Sequence, residues 1–305
     1  MNTHVNEISS TVRDAFNFEV VKLPLSGADN HYTPWYGLFR DDSGKYVGSS
    51  SITERYVPHS TDDVCALVEA AANVFDGDVN LQCHFNDGHY VSIAPSDDYR
   101  HSVYGTDDNI FARMVISFGF DKESCVASFG GWRDACDNLM IPRMVEGTRV
   151  SIRHTRSLRS KMDDLIATFG RLEQGWENLT AMADEMQSRE VRLDEFLNAI
   201  YSQPTPEQLA LAHSGQKVRS VTIHENRTKT ILNRVMRERW QTGRPALGSD
   251  FRVSAWEAYN AVQGFSQHEA TRRVRRGNTI AKFDRILLAS NDTAVLAAEK
   301  LALSA

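Results

Sequence analysis

Over the first 150 residues, short runs rich in Val, Ile, Tyr and Phe alternate with turn clusters such as Ser26-Gly27-Ala28-Asp29-Asn30 and Asp41-Asp42-Ser43-Gly44. This pattern predicts a mostly antiparallel β region. The sharpest local signal is a hairpin: Leu81 to Phe85 and His89 to Ile93 flank Asn86-Asp87-Gly88, where Asp-Gly supplies the positive φ angles of a tight reversal. A helix is expected over 61–75, capped by Thr61, because Val64, Leu67, Val68, Ala71 and Val74 recur at helical spacing.

The middle of the chain changes period. From Leu158, apolar residues follow at Met162, Leu165, Phe169, Leu172, Trp176, Leu179, Ala183 and Met186, in steps of four and three. That is a heptad seam. A helix carrying it would run about 45 Å, at 1.5 Å per residue, so its seam needs cover from another helix of this chain or from the same helix of a second subunit. Gly170 and Gly175 invite a kink. A further helix is expected over 190–201, with Val191, Leu193, Phe196, Leu197 and Ile200 as its apolar set. A linker carrying Pro204 and Pro206 follows, then helices over 225–241 and 252–265 separated by a loop. The fold expectation is therefore α+β in three parts: a strand-rich domain over 1–150, an oligomerisation element over 151–202, and a basic, mainly helical region over 203–305.

Composition supports a globular chain: 305 residues with 41% hydrophobic and 24% charged residues can bury a sizeable core. The absence of an apolar run of membrane-spanning length and of a signal-peptide pattern at the N-terminus places the chain, as an expectation, in the cytoplasm of the host cell with no membrane partner. Net charge is −6 but unevenly spread. Residues 1–150 carry 22 acids and 11 bases, whereas 201–290 carry 15 bases and seven acids. Such a basic third can meet a polyanion, the protein's own acidic half, or a neighbouring subunit.

Several segments form a recognisable series. Thr53-Glu54-Arg55-Tyr56 lies within Gly48 to Ser60, and Val115 to Asp121 leads on to Trp132-Arg133-Asp134-Ala135-Cys136-Asp137-Asn138-Leu139. Ile152-Arg153-His154-Thr155 precedes the long helix, and Ala255-Trp256-Glu257-Ala258-Tyr259-Asn260-Ala261-Val262 is followed by His268. In this order they resemble the phage- and plasmid-encoded family catalogued as domain of unknown function 932. The resemblance implies a mobile-element setting and a coherent fold, without a reaction. Leu139 departs from the family pattern, which commonly has Gly or Thr there.

Chemistry narrows the candidates further. His84, His89 and His101, with Cys83 and Asp87, include zinc-ligand types, yet residues flanking a hairpin turn are ordinarily exposed and polar, and no metal is assigned. Cys136 with His154 is the best thiol–imidazole pair, but the simpler reading is a buried thiol beside a backbone-bonding Asn138, and no catalytic residue is assigned. Cys65, Cys83 and Cys125 read likewise as buried thiols. Phosphate-binding loops are absent and no cofactor is implied. Asp97-Asp98 and Asp107-Asp108 read as solvated surface.

The remaining signal is basic. Lys217, Arg219, Arg227, Lys229, Arg234, Arg237 and Arg239 lead to Trp240, and Arg272, Arg273, Arg275 and Arg276 follow later. Arg227, Arg234 and Arg237 share one side of a helix, where they could track phosphates, while Trp240, Trp256 and Tyr259 could stack on unpaired bases, although Trp256 reads more simply as core. The expected function is a phage- or plasmid-encoded accessory protein that binds single-stranded DNA or RNA, in recombination or replication, as a homo-oligomer through 158–186. The alternative is a non-enzymatic protein that assembles with itself or binds a host protein.

Overall fold

The computed structural model describes residues 7–27, 31–75, 78–85, 88–95, 99–120, 125–145, 148–152, 160, 163, 166–167, 169–270 and 292–304. The chain is a mixed α+β protein that divides into two compact units, one of residues 1–99, 111–131 and 146–177, the other of 100–110, 132–145 and 178–305.

In the first unit, α1 (Ile8–Ala15) leads into an antiparallel sheet of β1 (Val20–Ser26), β2 (Tyr32–Arg40) and β3 (Tyr46–Ile52). Helix α2 (Thr61–Ala72) then precedes β4 (Asn80–Phe85) and β5 (Gly88–Ala94). Further along come β6 (Arg100–Ser102), β7 (Asn109–Gly119), β8 (Cys125–Arg133), β9 (Asn138–Met140) and β10 (Arg149–Ile152), of which β6 and β9 belong to the second unit. The larger sheet takes the order β10-β8-β7-β5-β4.

The expected hairpin is present: β4 and β5 pair antiparallel with Phe85 opposite His89 and Cys83 opposite Val91. Helix α2 is present too, with Val64, Leu67, Val68 and Ala71 buried against Ile8 and Val12 of α1 and against Val91, Ile93, Met114 and Ile116 of the sheet. Its cap is Ser60, one residue earlier than expected. The Ser60 hydroxyl accepts the Asp63 amide at 3.2 Å, and the Asp63 carboxylate accepts the Ser60 amide at 2.8 Å. Thr61 is instead the first helical residue, and its hydroxyl donates to the Phe16 and Phe18 carbonyls.

Beneath these elements lies a buried histidine pair. His59 Nε2 and His89 Nδ1 are 2.7 Å apart, and the pair sits among Phe16, Phe18, Phe118 and Phe120. Burial, reinforced by the nearby Arg40 charge, pushes the His89 imidazole down to about 3.

The second unit is mainly helical. It holds most of α3 (Leu172–Ser188), then β11 (Glu190–Arg192), α4 (Leu193–Ile200), α5 (Pro206–His213), α6 (Arg219–Gln241), β12 (Arg252–Ser254), α7 (Ala255–Gly264) and α8 (Thr293–Ser304). All ten residues of α7 are buried, so it is the hydrophobic axis of this unit, packed against α6 and α8. Where helices were expected to begin at 190 and 252, β11 and β12 instead form an antiparallel pair, with Val191 opposite Val253. Val191 thus belongs to a strand. The proline pair opens α5, with Thr205 and Gln208 in a reciprocal cap and Pro206 in the first turn.

The heptad expectation is modified. A 3₁₀ turn, Phe169–Arg171, precedes α3 at the Gly170 position, and Leu158, Met162 and Leu165 lie outside the described residues. Phe169, Leu179, Ala183 and Met186 are buried by the chain itself, and Trp176 packs edge-on against Phe129 at 6.1 Å. Trp176 itself is half-buried. Among the described residues, no helix is long and apolar enough to cross a membrane.

His89 makes the fold acid-sensitive. Its folded pKa lies below the ordinary value of 6.5, so the unfolded chain takes up a proton that the folded chain refuses. Stability is then lost as pH falls from about 6.5 towards 3. Denaturant unfolding should show a loss of about 2 kcal/mol at pH 5 relative to neutrality from this group. A His89→Leu variant should lose that part of the pH slope.

Candidate functional site

Helix α7 comes from the Ala255–Val262 segment of the sequence series, and its polar residues carry the site. Ser254 caps it, taking the Glu257 amide at 3.2 Å while Glu257 returns to the Ser254 amide at 2.9 Å. Beyond the cap, Asn260, Gln263 and Gln267 fall on one side. A single π turn, Phe265–Glu269, carries the last of these and His268.

This polar stripe serves β9. The Leu139 amide donates to Gln267 Oε1 at 3.0 Å, and the Leu139 carbonyl accepts from Gln263 Nε2 at 3.2 Å and Gln267 Nε2 at 2.7 Å. Side-chain amides thus satisfy a buried backbone as a neighbouring strand would. Asn138 Nδ2 donates to the Asn260 carbonyl at 3.0 Å, and Asn138 Oδ1 lies 3.2 Å from His268 Nε2. Asn138, Asn260 and His268, each picked out by a sequence motif, therefore meet.

Next to them lies a buried network of opposite charges. Arg133 Nε donates to Asp108 at 2.7 Å, Arg133 also pairs with Glu238, and Arg234 reaches Glu238 at 3.2 Å. Trp256 Nε1 donates to Asp108 Oδ2 at 2.8 Å. Two guanidinium groups face two carboxylates, so the cluster is neutral, which is what burial demands of charged groups. Asp108, read from sequence as solvated surface, is here a buried acceptor.

A cavity of about 380 Å³ opens beside this network, lined in part by Asp134, Cys136, Arg234, Arg237, Gln241 and Glu269. Cys136 Sγ accepts from Arg133 Nη1 at 3.2 Å, and burial pushes its thiol up to about 12. The thiol is thus a protonated packing and hydrogen-bonding group at neutral pH. His154, its expected partner, lies outside the described residues. Asp137, also on the wall, holds a φ of +55°, a conformation that side-chain-bearing residues seldom adopt.

The basic candidates divide sharply. Arg234 is buried, Arg239 pairs with Glu257 at 3.1 Å and donates to the Pro245 carbonyl, and Arg227 stacks over the Tyr201 ring at 4.3 Å. Of Arg227, Arg234 and Arg237, expected to share one phosphate-tracking side, Arg234 is turned inward onto Glu238, Arg227 is half-buried and Arg237 is exposed. Trp256 and Tyr259 are core. Arg272, Arg273, Arg275 and Arg276 lie outside the described residues.

What remains exposed on α6 and its lead-in is Lys217, Arg219, Lys229, Arg237 and Trp240. The indole of Trp240 is 80% exposed, with Ile223 and Met236 also open on this helix. None of these four cations has an ion-pair partner among the described residues. As for metals, His89 is spent on His59 and His101 on Asp184 at 3.0 Å, and the described residues hold no cluster of three or more metal-ligating side chains.

A family model described as Domain of unknown function (DUF932) matches residues 49–287, which takes in Arg133, Asn138, Trp256 and His268. No curated protein and no solved structure matches the chain.

Two substitutions probe the network. Glu238→Ala strands Arg234 and leaves Arg133 with Asp108 alone, and should cost ~3–5 kcal/mol in denaturant unfolding, whereas Glu225→Ala on the exposed side of α6 should cost less than ~0.5 kcal/mol. A methyl at Gly264 would sit 2.5 Å from the Arg234 guanidinium carbon. Gly264→Ala should accordingly lose ~1–3 kcal/mol through overpacking.

Proposed function

The chain belongs to the domain-of-unknown-function family, which assigns no reaction, and we propose that it binds single-stranded nucleic acid through the outer side of α6. The observation that carries this reading is Trp240, whose indole is 80% exposed beside Arg237 on the same helix side as Lys229. A large apolar ring held in water beside unneutralised cations suits the face of an unpaired base and its phosphate. Stacking supplies affinity without demanding sequence, and each nearby cation releases counterions when it meets a phosphate. Helix α6 spans about 31 Å from Arg219 to Trp240, enough for several nucleotides of an extended strand. A phage- or plasmid-borne role in recombination or replication, in the host cytoplasm, belongs to the same proposal.

Assembly of a homo-oligomer through 158–186 stays part of the proposal; within that stretch Phe169, Leu179, Ala183 and Met186 are buried and Trp176 is half-buried. A second reading, docking of a protein partner, has its own support in the exposed Leu23, Tyr32, Trp35 and Tyr46 of the three-stranded sheet.

Fluorescence anisotropy with a labelled all-thymine oligonucleotide checks the proposal. Binding in about 50 mM salt should weaken with a log–log salt slope of about −3 if Lys217, Arg219, Lys229 and Arg237 each meet one phosphate. Trp240→Ala should weaken binding by roughly 5- to 150-fold, and Lys229→Ala should flatten the slope by about 0.7. Absence of binding in about 50 mM salt removes the proposal. A stoichiometric protein partner captured in the presence of nuclease would favour the second reading.

A further inference from the structure

The cavity beside the buried network is walled by α6 itself, through Arg234, Arg237 and Gln241 at successive turns. Residues three and four apart on a helix are surface neighbours, so Arg237 stands next to Trp240 on one side and next to Gln241 of the cavity wall on the other. Any strand stacked on Trp240 therefore passes the mouth of a cavity of about 380 Å³, within the ~300–1,000 Å³ range of small-molecule sites.

The walls of the cavity are of two chemical kinds. Asp134, Asp137 and Glu269 present carboxylates, which accept hydrogen bonds only, and Arg234 and Arg237 present guanidinium groups, which donate only, Arg234 being already held by Glu238. Gln241 does both. Asp134 is exposed, and Glu269 approaches Arg234 Nε no closer than 4.0 Å, so neither carboxylate is consumed by a hydrogen bond to a guanidinium among the described residues. Arg237 likewise has no ion-pair partner there.

A ligand fitted to these walls needs adjacent N–H donors on one edge and paired acceptors on another. Among the nucleobases, guanine has both: N1–H and the N2 amino group can meet a carboxylate, and O6 with N7 can meet an arginine fork. Thymine and uracil place a single N–H between two carbonyls, which a carboxylate repels. Adenine and cytosine offer one amino group each.

We infer that this cavity receives a guanine base turned out of the strand bound along α6, with Asp134 and Glu269 as acceptors for its donor edge and Arg237 as donor to its acceptor edge. The inference rests on the nucleic-acid reading of α6 and adds base preference to it. Turning out a base from a single strand requires only unstacking, so this cost is small compared with that of opening a duplex.

The test compares an all-thymine oligonucleotide with the same oligonucleotide carrying one internal guanine, by anisotropy in about 50 mM salt. The guanine should tighten binding roughly tenfold, and this ratio should fall to about one in Asp134→Asn and in Glu269→Gln, with circular dichroism confirming that each variant is folded. Equal binding of the two oligonucleotides by the wild-type chain overturns the guanine site and leaves strand binding by α6 standing. A preference that persists in both variants also overturns it, since guanine would then be read elsewhere. If neither oligonucleotide binds, the α6 reading fails and the guanine site falls with it.

Discussion

Glu238 is the side chain on which the second unit turns. It lies on a helix whose other face is wet, yet it is buried with two guanidinium groups, one from its own helix and one from the end of β8. Inside a protein each of these charges alone would cost several kcal/mol, and only their mutual pairing makes the arrangement tolerable. That pairing has a geometric consequence. With Arg234 and Glu238 both directed inward, the rotational phase of α6 is set, and at about 100° per residue Lys229, Met236 and Trp240 must face the other way. The exposure of Trp240 is thus the far side of the same constraint that buries Glu238.

The same economy governs β9 and α7. A strand of three residues, Asn138–Met140, cannot stabilise itself, and its central amide and carbonyl are buried. Gln263 and Gln267 supply the missing partners, and the π turn belongs to this arrangement because it carries Gln267. Leu139, a departure from the family pattern, fits here: its side chain is buried, and its backbone needs no special φ. Asn138, Trp256, Asn260 and His268 are better understood as one cohesive polar and aromatic cluster than as separate markers of chemistry.

How much of this could be read from the chain depends on the range of the interaction. The β4–β5 hairpin and α2 were legible because their determinants lie within a few residues: strand-forming runs on either side of Asp-Gly, and apolar residues at helical spacing. The β11–β12 pair was not, because its paired residues lie 60 to 64 positions apart in the chain and each strand is only three residues long. The inward turn of Arg234 was hidden for a related reason. A count of charges and a helical wheel place Arg227, Arg234 and Arg237 on one side, but do not say which side is buried. One local clue existed: Ile231, Val235 and Glu238 form an i, i+4, i+7 row, and an acid continuing an apolar row beside Arg234 signals an inward ion pair.

The charge reversal along the sequence therefore has two destinations. Asp108, Glu238 and Glu257 draw Arg133, Arg234, Arg239 and Arg244 into internal pairs, Arg244 meeting Glu257 at 2.9 Å. The excess of positive charge in the last third of the chain is in this part structural, and it offers nothing to a polyanion. The cations left over on α6 are few and separated by two to three turns, too sparse to hold the dense phosphates of a duplex but compatible with an extended strand whose bases supply part of the affinity. A surface of this kind should depend more on its indole than on any one cation, because removing a phosphate contact only lessens counterion release, whereas removing the ring eliminates the stacking surface itself.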